Sequence, residues 1–322
     1  MAAQADFAVR VFVAGGSGAI GRRLLPQLVT AGHEVAATTR SPDKTSMLQA
    51  LGAQPVVLDA FDAAALARAV RAFRPDAVMN QLTDLPKRYK PRKLGPYYER
   101  TARLRVDVTR TLLDAGAGRF IYQSIASMYS GKAPAVVAED APLALGAPEP
   151  FGTAVRSTAK GERLALEVGG IVLRYGQLYG PGTYFDYSGD FARQARGRML
   201  PIVGSGHGIF SFVHVDDAAA AAICALERGS GIFNIVDDEP AEARTWIPAF
   251  CTAVGAPAPI RVPGWLAALL AGGFAAATLQ EACGASNARA RSELGWTPSR
   301  PTWRTGFRQL GDGLGRKPQR AL

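Results

Sequence analysis

The chain has 322 residues, a formal net charge of +10 at pH 7, and 48% hydrophobic and 20% charged residues. This length allows one large core, or one core with a smaller satellite domain, and the composition is that of an ordinary soluble protein. The three cysteines, Cys224, Cys251 and Cys283, form no CxxC pair, which argues against a zinc site and against a disulfide framework.

The start of the chain and its longest apolar run bear on where the protein works. The opening residues MAAQADFAVR include an acidic residue and run straight into the first strand, unlike a secretory signal. The apolar run Trp265–Leu279, of about fifteen residues, is shorter than the roughly twenty that span a bilayer, and we interpret it as a buried or lid helix. We therefore predict a cytoplasmic protein without a membrane span.

Positive charge is densest in the segment Lys87–Lys93, called the basic loop below. It is interpreted as a solvated loop or, alternatively, as an electrostatic funnel for an anionic substrate or cofactor. Further basic residues, Arg316, Lys317 and Arg320, belong to a Gly/Pro-containing tail that is expected to be disordered. The expected partner is a small molecule and not nucleic acid, and formation of a homodimer is left open.

A glycine-rich turn follows the first predicted strand, Arg10–Ala14. The run GGSGAIG at positions 15–21 leads directly into a helical pattern. The glycine at 15 makes the tight turn, the one at 18 leaves room for a pyrophosphate, and the one at 21 lets the helix pack close to the strand. Strand, glycine turn and helix in this order predict a dinucleotide site at the positive end of the helix dipole. The predicted contacts are Gly15, Ser17, Gly18, Ala19, Ile20 and Gly21.

The end of the second predicted strand, Glu34–Thr38, indicates which dinucleotide is bound. Proteins that bind a free ribose diol usually place a carboxylate here, whereas this chain has Arg40. A guanidinium cannot accept hydrogen bonds from ribose hydroxyls, but it can pair with a 2′-phosphate, helped by Ser41 and Lys44. We therefore predict NADP(H) in preference to NAD(H). The alternative is that Arg40 is solvated or stacks on the adenine.

The third and fourth predicted strands carry further polar ends. Strand Pro55–Leu58 delivers Asp59, which is placed to accept from the adenine amino group, while Asp62 is expected to cap the helix Ala63–Phe73. Ligands of doubly wound sheets lie beyond the carboxyl ends of the strands. The end of strand Ala77–Gln81 should therefore border the nicotinamide, with predicted contacts Gln81, Leu82 and Thr83. A long helix, Tyr98–Ala115, and a fifth strand, Arg119–Gln123, follow.

A series of motifs continues along nearly the whole chain. They are Gly15–Gly21, Asp59 with Asp62, Asp76–Asn80 (DAVMN), Arg105–Leu113 (RVDVTRTLL), Arg119–Tyr129 (RFIYQSIASMY), Leu173–Pro181 (LRYGQLYGP), Phe212–Asp217 (FVHVDD) and Phe233–Pro240 (FNIVDDEP). In this order they resemble the extended short-chain dehydrogenase/reductase superfamily, which comprises the NAD(P)-dependent nucleotide-sugar epimerases, dehydratases and their atypical relatives.

The resemblance implies an α/β fold: a Rossmann-type doubly wound sheet, seven-stranded and mostly parallel, with a smaller C-terminal substrate domain. The cofactor domain would comprise residues 1–175, with 210–236 returning to it, and residues 176–322 would mainly form the substrate domain. Asp216 and Asp217 are interpreted as the cap of a helix Ala218–Glu227, and His214 as a structural residue. Further cofactor contacts are assigned to Ala60, Arg105, Gln123 and Tyr175.

The catalytic residues of that superfamily are not found in register. Members that transfer hydride use a Ser or Thr, a Tyr as acid/base and a Lys. Matching the motif of strand five puts Ile125 at the Ser/Thr position, and matching the following helix puts Ala154 at the Tyr position and Thr158 at the Lys position. A second register restores Lys160 but puts Arg156 in place of the tyrosine.

A substitute acid is therefore the first expectation, with Ser124 and Tyr129 as catalytic candidates and Tyr175 and the aromatic run Tyr184–Tyr187 as further ones. Ser124 could instead satisfy backbone groups, and Tyr129 could be a packing residue. The function predicted is an NADP(H)-dependent oxidoreductase or epimerase-like enzyme acting at a carbonyl or alcohol carbon. The alternatives are a redox-silent lyase, isomerase or cyclase, and a non-catalytic NADP(H)-binding regulatory protein. The aromatic run hints at an aromatic substrate.

Overall fold

The computed structural model describes residues 8–116, 118–130 and 135–312. A seven-stranded parallel sheet lies at its centre, in the order β12-β7-β5-β4-β1-β2-β3. No helix of the described residues is long and apolar enough to cross a membrane. The strands are β1 Arg10–Ala14, β2 Glu34–Thr39, β3 Gln54–Val57, β4 Ala77–Asn80, β5 Arg119–Ile125, β6 Val136–Val137, β7 Ile171–Tyr175, β8 Gln177–Tyr179, β9 Ile202–Val203, β10 Ile209–Phe210, β11 Phe212–His214, β12 Gly231–Ile235, β13 Ala241–Glu242, β14 Arg261–Val262 and β15 Gly284–Ala285.

Helices cover both faces of this sheet, because successive side chains of a strand point to opposite sides. In β1, Val11 and Val13 pack with helices α1 and α8, whereas Phe12 packs with α3, α5 and α6 on the other face. The helices are α1 Gly21–Thr30, α2 Thr45–Ala50, α3 Ala63–Phe73, α4 Gly95–Arg103, α5 Thr109–Asp114, α6 Phe151–Glu167, α7 Asp190–Arg196, α8 Val215–Glu227, α9 Ala243–Ala253, α10 Gly264–Ala271, α11 Gly273–Glu281, α12 Ala288–Glu293 and α13 Trp303–Asp312.

A second apolar core lies among the C-terminal elements. Its centre is Phe185, whose ring contacts those of Phe212, Trp246 and Phe250 at centroid distances of 5.2 to 5.6 Å. Strand β12 nevertheless pairs with β7 and so belongs to the central sheet. The basic tail residues Arg316, Lys317 and Arg320 lie outside the described residues.

The central sheet confirms the predicted fold class, and the strands after the glycine turn lie within two residues of their predicted bounds. Helix α3 has the predicted bounds, and Asp62 caps it by accepting from the Ala65 N–H at 2.9 Å. The sheet order reverses between β1 and β4, which creates the crevice where doubly wound proteins bind ligands. The glycine turn lies at this point.

The predicted helix Tyr98–Ala115 needs a correction. The helical segment starts earlier, with α4, and it changes to a π-helical turn at Leu104–Val108 before α5 begins. A π-turn inserts an extra residue into the helical repeat and occurs frequently at functional sites. Its position depends on packing against α6, which periodicity along the sequence does not report.

Two further interpretations are wrong in detail. Helix α8 begins at Val215, and its cap is His214, whose Nδ1 accepts from the Asp216 N–H at 3.1 Å; Asp216 and Asp217 lie inside the first turn. The apolar run predicted as one buried or lid helix forms two helices, α10 and α11, divided at Gly272. It is not buried, since Trp265 is 71% exposed.

Helix α6 approaches the sheet closely at Gly161. A Cβ added to Gly161 would meet the Tyr122 hydroxyl and would lie 2.6 Å from the carbonyl oxygen of Arg105 in the π-turn. Only a glycine therefore allows α6, β5 and the π-turn to pack at this distance. This approach places the middle of α6 against Tyr122 and Arg105.

We expect Gly161→Ala to lower the free energy of unfolding by about 1–3 kcal/mol, the cost of overpacking, despite the better helix propensity of alanine. Chemical denaturation measures it. Gly146→Ala is the control, because a Cβ there meets nothing within 4 Å and should change stability by less than about 0.5 kcal/mol. Equal stability of both variants would show that α6 can move away from the π-turn without cost.

Candidate active site

The glycine turn lies tightly against the end of β4. Gly15 has φ of +97° and donates its N–H to the Thr38 hydroxyl at 2.9 Å. A Cβ at Gly15 would lie 2.8 Å from the Gln81 carbonyl oxygen, and one at Gly21 would lie 2.5 Å from the Gly16 carbonyl oxygen. The turn therefore has the close approaches that a dinucleotide-binding turn requires.

The N-terminus of α1 is open for an anion. No side chain caps it, its first turn carries no acidic residue, and the N–H groups of Ala19 and Ile20 donate no hydrogen bond within the described part of the chain. Arg22 lies exposed beside this terminus, with Nε 3.4 Å from the Gly18 carbonyl oxygen. Free N–H groups with a nearby guanidinium fit a pyrophosphate.

The end of β2 is polar and partly exposed. The Thr39 hydroxyl donates to the Ser17 hydroxyl at 3.2 Å and accepts from the Ser41 N–H at 3.2 Å. The Arg40 side chain is 66% exposed, and its guanidinium lies 3.6 Å from an Asp84 carboxylate oxygen. Arg40 thus points toward the crevice and away from the sheet core.

A cavity of about 780 Å³ lies beside Arg40. Arg100 also pairs with Asp84, at 2.5 Å, so one carboxylate lies between two guanidiniums. Part of the basic loop contributes to the wall. The cavity is lined by Arg40, Asp84, Arg92, Lys93, Pro96, Tyr97 and Arg100, four cations and one carboxylate.

The other predicted cofactor residues lie at neighbouring strand ends. Asp59 is exposed after β3, where its carboxylate accepts from the Phe61 N–H at 3.0 Å. Lys44 is exposed in a short 3-10 turn and does not line the cavity. Ala60 follows Asp59 after β3. After β4, Gln81 is buried, Leu82 is half-buried and Thr83 is exposed. Gln123 lies on β5 and Tyr175 on the adjacent strand β7.

Ala154 and Thr158 lie one turn apart on α6, and both are buried. Arg105 reaches them from the π-turn. Its Nη1 donates to the Ala154 carbonyl oxygen at 3.2 Å and to the Thr158 hydroxyl. The Arg105 guanidinium from the π-turn therefore contacts the face of α6 on which the resemblance would place tyrosine and lysine.

Ser124 and Tyr129 belong to one buried hydrogen-bond network. Ser124 donates to Glu162 at 2.5 Å, and Glu162 accepts from Nε and Nη2 of Arg174 at 2.8 and 2.7 Å. The Tyr129 hydroxyl accepts from Nη1 of Arg174 at 2.9 Å and donates to the Asn234 side-chain oxygen at 2.6 Å. Burial raises the pKa of Tyr129, opposed by the Arg174 guanidinium. Both hydroxyls have partners within the fold, and their catalytic roles stay predictions.

An aromatic cluster adjoins Arg105 and joins the basic loop to the C-terminal elements. Tyr89 contacts Tyr184 and Phe191 at ring-centroid distances of 5.8 and 5.3 Å, and its N–H donates to Asp190 at 2.6 Å. Burial raises the pKa of Tyr98, whereas the Tyr89 hydroxyl and the Arg105 guanidinium lower it. The aromatic run predicted from sequence thus contributes Tyr184 to a cluster of tyrosines near a buried cation.

Several of these residues were not predicted from the sequence. Arg22 lies beside the N-terminus of α1, Asp84 and Arg100 line the cavity beside Arg40, and Tyr98 lies near Arg105 and Tyr89. The composition of the basic loop predicted its charge but not the contacts of its half-buried Tyr89. The position of Tyr98 beside Arg105 was not predicted, because it depends on the π-turn that interrupts the predicted helix.

Comparison with known proteins agrees with this geometry. The family model described as "NAD dependent epimerase/dehydratase family" matches residues 11–235. A 3-diazoavenalumate denitrifying reductase from a Streptomyces species is 42% identical over 317 residues, covering 96% of this chain and 100% of the relative. A 4-hydroxy-2-methyl-3-oxo-4-farnesyl-3,4-dihydroquinoline-1-oxide ketoreductase from Stigmatella aurantiaca is 27% identical over 257 residues, covering 74% of this chain and 71% of the relative.

Solved structures share the fold. A human epimerase family protein, solved with NADPH, superposes with a TM-score of 0.72 at 22% identity, covering 94% of this chain and 99% of that one. At this identity the likeness concerns the fold alone. It supports a Rossmann-type arrangement along nearly the whole chain.

We expect Tyr129→Phe to lower the free energy of unfolding by about 1–3 kcal/mol, because Arg174 and Asn234 both lose a buried partner. Denaturant titration measures the change. Tyr187→Phe is the matched control, since the Tyr187 hydroxyl makes no hydrogen bond among the described residues. If Tyr129→Phe is as stable as the control variant, the hydroxyl is not needed for the network, and a role as proton donor gains support.

Proposed function

The chain belongs to the NAD-dependent epimerase/dehydratase family, and from this premise we propose that it is an NADP(H)-dependent reductase that removes a diazo group from a small aromatic molecule as dinitrogen. The family and its reductase relatives make it an NAD(P)-dependent oxidoreductase or epimerase-like enzyme. The preference for NADP(H), the diazo substrate and the roles of single residues are the proposal.

The cofactor would be held by the backbone of the glycine turn and by cations around it. Ala19, Ile20 and Arg22 are placed for the pyrophosphate, because free N–H groups and a guanidinium meet there. Arg40 and Arg100 are placed for a 2′-phosphate, with Arg92 and Lys93 of the basic loop across the same cavity. This assignment favours the funnel interpretation of the basic loop over that of a merely solvated segment.

One observation carries the proposed chemistry: the face of α6 presents Ala154 and Thr158, with no phenol and no ammonium at these positions. Reduction of a carbonyl leaves an alkoxide, which a positioned acid must protonate. Bound NADPH would supply two electrons as a hydride to the diazo compound, whose carbon–nitrogen bond breaks to release neutral dinitrogen. The departing molecule needs no proton. A site without the tyrosine and lysine is thus suited to this leaving group.

The relatives support the proposed diazo chemistry. The relative at 42% identity is named a denitrifying reductase of a diazo compound and matches over its full length. The residues of the aromatic cluster, Tyr89, Tyr98 and Tyr184, suit an aromatic substrate.

A second candidate is carbonyl reduction with Tyr98 as the acid. The supporting observation is that Tyr98 lies beside the Arg105 guanidinium, which partly opposes the rise that burial imposes on the pKa of the Tyr98 hydroxyl. The ketoreductase relative at 27% identity is consistent with it. This candidate requires Tyr98→Phe to abolish ketone reduction.

We expect Arg40→Asp to weaken NADPH binding about tenfold to a hundredfold while NADH binding changes little, because the guanidinium pairs with the phosphate that only NADPH carries. Calorimetric titration with both nucleotides measures it. Arg68→Asp makes the same charge change on the exposed side of α3 and should leave both affinities nearly unchanged. Equal losses for NADPH and NADH would show that Arg40 does not recognise the 2′-phosphate.

We expect the purified enzyme to convert 3-diazoavenalumate or a simpler diazophenolate with NADPH to the arene and dinitrogen. With nicotinamide-deuterated NADPH, mass spectrometry should find deuterium in the product. Ketones should react at least about a hundredfold more slowly, since the proton donor contributes about that factor or more. Turnover of ketones without consumption of diazo compounds would overturn the proposal in favour of the second candidate.

A further inference from the structure

Arg105 is a buried cation whose charge is not balanced by a neighbouring carboxylate. Only 8% of the residue is exposed, and no carboxylate oxygen of the described residues lies within 4 Å of its guanidinium. The Glu162 carboxylate, which acts on it from farther away, is already bound by Arg174 and Ser124. A buried charge without a counter-charge is costly, and such costs persist mainly at functional sites.

The guanidinium is fixed in place by one nitrogen only. Nη1 donates to the Ala154 carbonyl oxygen and to the Thr158 hydroxyl, both neutral acceptors. Nε and Nη2 donate no hydrogen bond within the described ranges, and neither is a fully enclosed, unpartnered atom. Donors therefore remain for a ligand, and an anionic oxygen is the partner that a guanidinium binds most strongly.

We infer that Arg105 binds an ionised ring oxygen of the substrate, so that the substrate is an aromatic diazo compound with a phenolate conjugated with its diazo carbon. This inference rests on the proposed function. The evidence specific to this inference is that the unbalanced Arg105 guanidinium lies beside the half-buried ring of Tyr98, which is on the preceding helical turns. It moves Arg105 from the cofactor contacts implied by the resemblance to the substrate.

The charge balance gives the contact a catalytic effect. In the substrate, the negative oxygen is offset by the positive diazo group of the same molecule. Two electrons and a hydrogen enter from the reduced nicotinamide dinucleotide, the carbon–nitrogen bond breaks, and dinitrogen leaves. The product keeps a full negative charge on the oxygen. Arg105 therefore meets more negative charge in the transition state than in the substrate, and such differential stabilisation accelerates a reaction.

The test uses 4-nitrophenol, an unreactive phenol whose ionised form absorbs visible light. The full-length protein is titrated across pH with NADP⁺ present. We expect the wild type to bind the phenolate and to lower the apparent pKa of the bound phenol by about one unit or more. Arg105→Gln should weaken binding of the phenolate about tenfold to a hundredfold and remove that lowering. Arg105→Lys should retain part of the phenolate affinity and part of the lowering of the apparent pKa of the bound phenol.

Arg110→Gln is the matched control, because Arg110 lies exposed on α5 one turn after the π-turn. It should bind nitrophenolate and NADPH as the wild type does. Arg105→Gln should retain its affinity for NADPH within about twofold, which also shows that it folds. If it does not fold, Thr158→Val replaces it, since that variant removes one acceptor that fixes Nη1 and should weaken nitrophenolate binding more than NADPH binding.

Two results would overturn the inference. Unchanged nitrophenolate binding in Arg105→Gln would show that Arg105 does not face the phenolate, and a loss confined to NADPH would return it to the cofactor. Diazo turnover is measured separately on the wild type. Absence of that turnover with intact, Arg105-dependent nitrophenolate binding would reject the diazo chemistry and leave Arg105 as a receptor for a phenolate.

Discussion

The buried ion pair between Glu162 and Arg174 fixes helix α6 on the central sheet, and the candidate active site depends on that placement. Each residue is only 3% exposed, and two nitrogens of the guanidinium meet both carboxylate oxygens. Burial of two charges is costly, and only a geometry this good offsets that cost. Removal of one partner would leave the other charge buried alone and would lower the free energy of unfolding by about 3–5 kcal/mol. The pair ties α6 to β7 and so determines where Ala154 and Thr158 face.

The same pair explains why the hydroxyls of Ser124 and Tyr129 are poorly available for chemistry. Ser124 donates a hydrogen bond to Glu162, and the Tyr129 hydroxyl is held between Arg174 and Asn234. Both hydroxyls are paired in this network, and hydroxyls held in this way contribute specificity to the core. Arg105 is the opposite case, a buried guanidinium with only neutral acceptors. Two arginines contact the same helix: Arg174 holds it in place, and Arg105 retains donors for a ligand.

Local chemistry made part of this structure predictable. The glycine turn, the bounds of the first strands and the cap at Asp62 follow from patterns within a few residues, and the sequence shows them directly. The π-turn could not be predicted, because it depends on the contact of Arg105 with α6, far along the chain. The cap of α8 was misassigned for a smaller reason: an aspartate is the commoner cap, whereas here the His214 ring accepts the N–H.

The two cationic regions of the site differ in their exposure to water, and this difference sets what each can do. Arg40 and Arg100 are exposed and share Asp84, so their ion pairs contribute little to stability. Their proposed attraction for an anionic cofactor would act through solvent and would weaken as salt is added. Arg105 acts in a medium of low polarity, where salt screens much less. In the proposed site, attraction of the cofactor and stabilisation of charge on the substrate oxygen can therefore be adjusted by separate residues.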